Sequence, residues 1–314
     1  MKSPLTRSSS SAYVRWLGSL GPLAWQIPLL VVVSVAYESL FVRAGINAID
    51  ESWPLYAAMR MHDGGVLYDD VLWVFPPAHV LPGWIAYALD PPGFVLSRWI
   101  YAGFDVALAV GMLFLGRCIM PSSFAFLGAL LVALAAPRSH IFQLLFGYRY
   151  LIFSVLALLA FSRRLRTGEV RWMFAAGVAA GVALAFRLTP AFAVSCGVGI
   201  GVVAAVRDWR RWLRDWLGYA AGLLLVAAPI LAWFAGTVGL PKLWHEVVIH
   251  PLGMLQTLPL PPIEAIDWGR RESIHRWFVA VQFRAHWFLY AGYLVALGIS
   301  WLRARIAEIG RAHV

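Results

Sequence analysis

Charge of either sign is scarce in this sequence: 13% of its 314 residues are Asp, Glu, Lys or Arg, and just 16 are acidic. Soluble domains carry about 25% charged residues, so this thin supply, beside 61% hydrophobic residues and 16 Trp, excludes an ordinary soluble globule. Cysteine is nearly missing too. The two present, Cys118 and Cys196, fall in or at the ends of apolar runs, where reduced, buried thiols and no disulfide are expected. No internal repeat recurs, and the one low-complexity stretch is the serine run at 8–11. The basic excess, net +10, does not read as a nucleic-acid surface, because Lys and Arg lie in short clusters between apolar runs, as they do in cytoplasmic loops.

What the sequence has in abundance is apolar runs near the length that crosses a hydrocarbon core of about 30 Å. The expected fold is all-α, a polytopic transmembrane helix bundle of about eight spans, at 22–42, 94–116, 122–136, 147–161, 172–186, 191–206, 217–236 and 286–302. Residues 1–21 read as an uncleaved, basic cytoplasmic tail, since the apolar run behind them is too long for a signal peptide and lacks a small-residue cleavage site. With the N-terminus inside, Arg117, Arg163, Arg164, Arg166, Arg171, Arg207, Arg210, Arg211 and Arg214 fall on the inner side. The loops at 43–93 and 237–285 then face outward, and the expected location is the inner (plasma) membrane, multi-pass. The Gly177-x3-Gly181 spacing, with Gly197, Gly199 and Gly201 in the next span, is suited to close helix packing.

The acids are concentrated in the first outer loop, where Asp50, Glu51, Asp63, Asp69, Asp70 and Asp90 stand against Arg43 and Arg60. Within it, residues 78–89 are too short to span and read as an interfacial or re-entrant helix. Asp50-Glu51 follows the first span closely. A carboxylate at a membrane edge, within about 3 Å of an acceptor hydroxyl, is the general base that transfer to that hydroxyl requires. The same dipeptide also suits a helix start, with Asp50 as N-cap and Pro54 in the first turns. Arg60, Arg149 and Arg187 fall on the outer side of this topology, where a guanidinium can neutralise a phosphate, snorkel, or pair with a loop carboxylate.

The ordered set Asp50-Glu51, Tyr56-Ala-Ala-Met-Arg60, Gly64-Gly65, Tyr68-Asp-Asp70, Phe75-Pro-Pro77 and Phe186-Arg187-Leu-Thr189-Pro190 resembles the GT-C superfamily of membrane glycosyltransferases. The likeness is to bacterial relatives of protein O-mannosyltransferases and of lipid A aminoarabinose transferase, glycosyltransferase family 39-like, and it covers about residues 22–236. It implies a sugar donor on a polyprenyl phosphate, a lipid, glycan or protein acceptor, and a catalytic acid in the first outer loop. The short cytoplasmic loops and the lack of a phosphate-binding glycine loop agree with a lipid donor. The resemblance assigns catalysis to Asp50 and Glu51, and substrate binding to Arg60, Asp70, Arg149 and Arg187. A divalent cation stays open, because Asp50-Glu51 is not an Asp-x-Asp.

Two other groups bear on rival readings. Asp105, deep in the second span, suits a proton-coupled transporter or lipid flippase, or a structural pair with Arg98 or His140; no inverted repeat accompanies it. A non-catalytic assembly subunit is a third class. His245-Glu246-x3-His250 mimics a zinc motif with the wrong spacing, since five residues along an α-helix set the two imidazoles about 140° apart. These residues read as interfacial polar groups. Residues 286–308 read as a last span. Residues 309–314, Ile-Gly-Arg-Ala-His-Val, are what a common sequencing-adapter string encodes, so the natural chain is expected to continue past Glu308.

Overall fold

A computed structural model of the chain describes residues 21–43, 51–135, 148–206, 208–250 and 253. The chain divides into two compact units, Met1–Pro251 and Leu252–Val314, and every helix named below belongs to the first. The expected span at 286–302 and the segment 309–314 lie outside the described residues.

Among the described residues the fold is helical, with no strand beyond a single bridge between Leu67 and Val71. In chain order the helices are α1 (Leu23–Ser39), α2 (Ser52–His62), α3 (Leu81–Leu89), α4 (Phe94–Gly116) and α5 (Ser122–Ala135). There follow α6 (Leu151–Thr167), α7 (Arg171–Phe186), α8 (Leu188–Ala205), α9 (Trp209–Val238) and the short α10 (Leu240–Trp244). Turns of 3-10 helix at Pro77–Val80 and Tyr148–Tyr150 introduce α3 and α6, and a π-helical turn at His245–Ile249 ends the series. Among the described residues three helices, α4, α8 and α9, are long and apolar enough to cross a membrane.

Helix α4 is central: α1 and α5 pack on one side of it, α6 on another, and α3 near its start. It can begin where it does because Gly93 takes φ +77°, and a Cβ there would lie 2.6 Å from the Tyr87 amide nitrogen. A second cluster joins α6, α7, α8 and α9 around Met173, Ala176, Ala180, Val198 and Tyr219. In it α7 and α9 meet backbone to backbone. A Cβ on Gly177 would fall 2.0 Å from the Tyr219 carbonyl, and one on Gly222 would fall 2.1 Å from that of Phe174. Gly177 and Gly181 thus serve close packing, against α9 and not against the glycines of α8.

Several expected boundaries move. The fourth run starts later and ends later, at Leu151–Thr167, because a 3-10 turn precedes it and the helix carries on through Arg163, Arg164 and Arg166 to Gly168 at φ +77°. Helix α9 begins at Trp209, well before its apolar stretch, with the Asp208 carboxylate accepting from the Arg210 amide at 3.0 Å as N-cap. The segment 78–89 is helical as expected. It turns Pro82, Gly83 and Ala86 inward and leaves Leu81, Trp84, Ile85 and Leu89 exposed. The thiols are free but not buried: Cys118 is half-exposed and Cys196 lies on the outside of α8.

Candidate functional site

Asp50 lies outside the described residues. Its neighbour Glu51 occupies the N-cap position of α2, where the α-helix start had suggested Asp50. The Glu51 side chain does not cap the helix. Buried to 2% exposure, it meets Arg98 of α4 with Oε2 2.6 Å from Nη2 and Oε1 3.3 Å from Nε. Arg98, equally buried, also donates from Nη1 to the Val42 carbonyl at 2.9 Å and lies 3.7 Å above the Phe94 ring. One guanidinium therefore grips the chain on both sides of 44–50.

Seven residues along α4 from Arg98, about 10 Å up the axis, Asp105 has a different partner. Its Oδ2 lies 2.6 Å from Arg149 Nε, and both groups are buried. The expected pairing of Asp105 with Arg98 is thus corrected: two turns separate them, and each takes a carboxylate or guanidinium from another element. His140, the other expected partner, lies outside the described residues. Arg149 is spent mainly on Asp105, with the Tyr101 ring 5.6 Å from its guanidinium carbon.

The loop motifs of the first outer segment are bound to one another. Tyr68 adopts φ +70°, held by its amide donating to the Val71 carbonyl at 3.1 Å. Its hydroxyl donates to the Phe75 carbonyl at 2.6 Å, joining Tyr68-Asp-Asp70 to Phe75-Pro-Pro77, and burial pushes the phenol well above its ordinary pKa. Asp70 is exposed and caps the turn by accepting from the Val66 amide at 2.7 Å, while exposed Asp69 pairs with Lys242 of α10.

Around these motifs stands an aromatic cluster. Trp53 and Trp73 meet edge to face at 5.4 Å, Phe75 stacks on His79 at 4.8 Å, and Tyr150 stacks on Phe186 at 4.7 Å. His79 is fully buried, and its Nδ1 lies 3.3 Å from the Phe186 carbonyl, which can only accept and so fixes the proton on Nδ1. That contact ties the first outer loop to the α7–α8 junction, where extended Arg187 sets its guanidinium 5.3 Å from the centre of the Phe75 ring. Two further donors are buried with no hydrogen-bond partner among the described residues: Trp73 Nε1 and Arg60 Nε.

A scan of protein-family models, a comparison with curated proteins and a comparison with solved structures each find no match to this chain.

Among the described residues no group of three or more His, Cys, Asp or Glu side chains is arranged to hold a metal ion. The His245 and His250 reading does need correcting. Residues 245–249 form a π-turn, which brings positions five apart into register, and the two rings stand 6.1 Å apart. Both face Glu246, with Nδ1 atoms 3.2 and 3.0 Å from its two oxygens. The hydrogen bond from His250, aided by that from His245, holds the Glu246 carboxyl below its ordinary pKa.

The structure thus brings Glu51, Phe75 and Arg187 into two joined clusters at the start of α2 and the α7–α8 junction, and sets Asp70 on an exposed turn. Sequence reasoning missed Arg98 as the partner of Glu51, the role of His79, and the Asp69–Lys242 pair. The signal for Arg98 was present, an arginine inside an apolar run, but spacing along one helix cannot name a partner on another.

Proposed function

We propose that the chain is a multi-pass membrane glycosyltransferase of the GT-C type, with about eight spans, its N-terminus cytoplasmic and its active site on the outer face of the inner (plasma) membrane. It moves a sugar from a polyprenyl-phosphate donor to an acceptor hydroxyl on a lipid, glycan or protein. Asp50 takes the acceptor proton, the acceptor oxygen attacks the anomeric carbon in line, and the polyprenyl phosphate leaves, so configuration is inverted. Arg187, with Arg60, neutralises the leaving phosphate. Glu51 acts through Arg98, fixing the chain beside Asp50, and Arg149 holds Asp105.

The observation that carries this reading is the meeting of Phe75 with Arg187. Two motifs more than a hundred residues apart in sequence meet through His79 in one aromatic cluster, and the Arg187 guanidinium lies over the Phe75 ring. The orphaned Arg60 Nε and Trp73 Nε1 supply donors that a phosphate or sugar can use. The rival use of Asp105 as a proton carrier is weakened by its buried ion pair with Arg149, which already occupies the carboxylate.

The test supplies membranes holding the full-length protein with radiolabelled polyprenyl-phosphate sugars and follows release of label from lipid. Release by wild type and none by Asp50→Asn, at equal folded yield, is the expected result. No release with any donor, or equal release by both proteins, overturns the assignment.

A further inference from the structure

The end of the bundle remote from the aromatic cluster carries a second concentration of chemistry. Helix α9 has 30 residues, about 45 Å of helix, against a hydrocarbon core of about 30 Å. Its uncharged part, 218–238, is long enough to fill that core by itself. The first two turns, Trp209-Arg-Arg-Trp-Leu-Arg-Asp-Trp-Leu217, therefore project beyond it. They are fastened to α6 by a buried ion pair, Arg164 Nη2 to Asp215 Oδ2 at 3.0 Å.

Around that fastening the surface is arginine and indole. Arg210, Arg211 and Arg214 on α9, Arg163 and Arg166 on α6, and Arg171 at the start of α7 are all exposed, against Glu169 and Asp208 as exposed carboxylates. Arg163 and Arg171 lie 5.4 and 5.6 Å from the same Trp172 ring, so two guanidinium groups share one indole, and Glu169 bonds Arg171 at 2.8 Å. Trp209 and Trp212 are exposed and Arg210 lies over the Trp209 ring at 5.8 Å, an arrangement suited to the headgroup layer, where indole is half in water and half in acyl chain.

We infer that this face binds anionic phospholipid headgroups of the leaflet it meets. The occupant follows from charge and depth. Six exposed arginines sit where an apolar helix leaves the hydrocarbon, the level at which lipid phosphates lie, and their carboxylate partners are too few to neutralise them. Arg164 and Asp215 cancel each other and hold the comb in place. The inference is independent of the glycosyltransferase reading.

The test uses the full chain purified in detergent and follows its melting temperature while phosphatidylglycerol or phosphatidylcholine is added as mixed micelles. Phosphatidylglycerol is expected to raise the melting temperature and phosphatidylcholine is not. In the R210Q/R211Q/R214Q variant, which leaves Arg164–Asp215 intact, the phosphatidylglycerol content giving half the shift should rise on the order of a hundredfold. Equal shifts from both lipids, an unchanged half-point in the variant, or the same shift from inorganic phosphate overturns the inference. A salt titration needs no variant: the wild-type shift must shrink as NaCl rises, and a salt-independent shift overturns it as well.

Discussion

Truncating Glu51 alone should cost far more than truncating it together with Arg98. Both residues are 2% exposed and their closest contact is 2.6 Å. Glu51→Leu removes the carboxylate from a guanidinium that stays buried against Phe94 and bonded to the Val42 carbonyl. Breaking a buried pair from one side costs about 3–5 kcal/mol, whereas replacing both partners with apolar groups of like volume is near neutral. At about 2–4 °C per kcal/mol for a folded unit of this size, Glu51→Leu should lower the melting temperature by on the order of 10 °C. Glu51→Leu/Arg98→Met should recover most of that loss. Thermal unfolding of the four proteins in one detergent closes the double-mutant cycle. A single variant melting with the wild type, or a double variant no better than the worse single, would refute the buried-pair argument and return Glu51 to direct chemistry.

Gly177→Leu places a side chain into the Tyr219 backbone and should force α7 and α9 apart, costing about 1–3 kcal/mol or more, whereas Gly197→Leu, with no atom within 4 Å, should not; paired melting curves compare them. Tyr68→Phe removes the hydroxyl bonded to the Phe75 carbonyl and should destabilise by about 1 kcal/mol; a variant as stable as wild type would show that the two motifs hold together without it. Glu246 has a folded pKa below its ordinary 4.5, so its stabilising effect is complete above that value and disappears as pH falls through the lowered one. The melting-temperature gap between wild type and Glu246→Gln should therefore close on the acid limb, and a gap that persists there contradicts the two-imidazole arrangement.

How much of this is legible in sequence varies with the element. Helix α4 is read to the residue, because Gly93 and Arg117 bracket a long, mostly apolar run. Helix α9 is read short by eight residues at its start, since hydropathy marks where a helix enters lipid and not where it begins. The aromatic cluster gathers motifs whose order along the chain can be read but whose contacts cannot. Arg98 and Asp105 share a helix face, which suggested a pair, yet a rise of 1.5 Å per residue keeps them apart. His245 and His250 were misplaced for a subtler reason: the 100° step assumes α geometry, and the π-turn breaks it.

The double grip of Arg98 ties the turn after α1 to the start of α2. Val42 and Glu51 are held by one side chain, so the backbone between them is a closed loop whose ends cannot drift, wherever its middle runs. Lengthening such a loop by a residue or two changes its closure entropy by only a few tenths of a kcal/mol, as the logarithm of its length. Losing Arg98 removes its bonds to both ends at once. Arg98, on α4, thus joins directly two positions that lie nine residues apart in the chain, and a change at that one side chain reaches both.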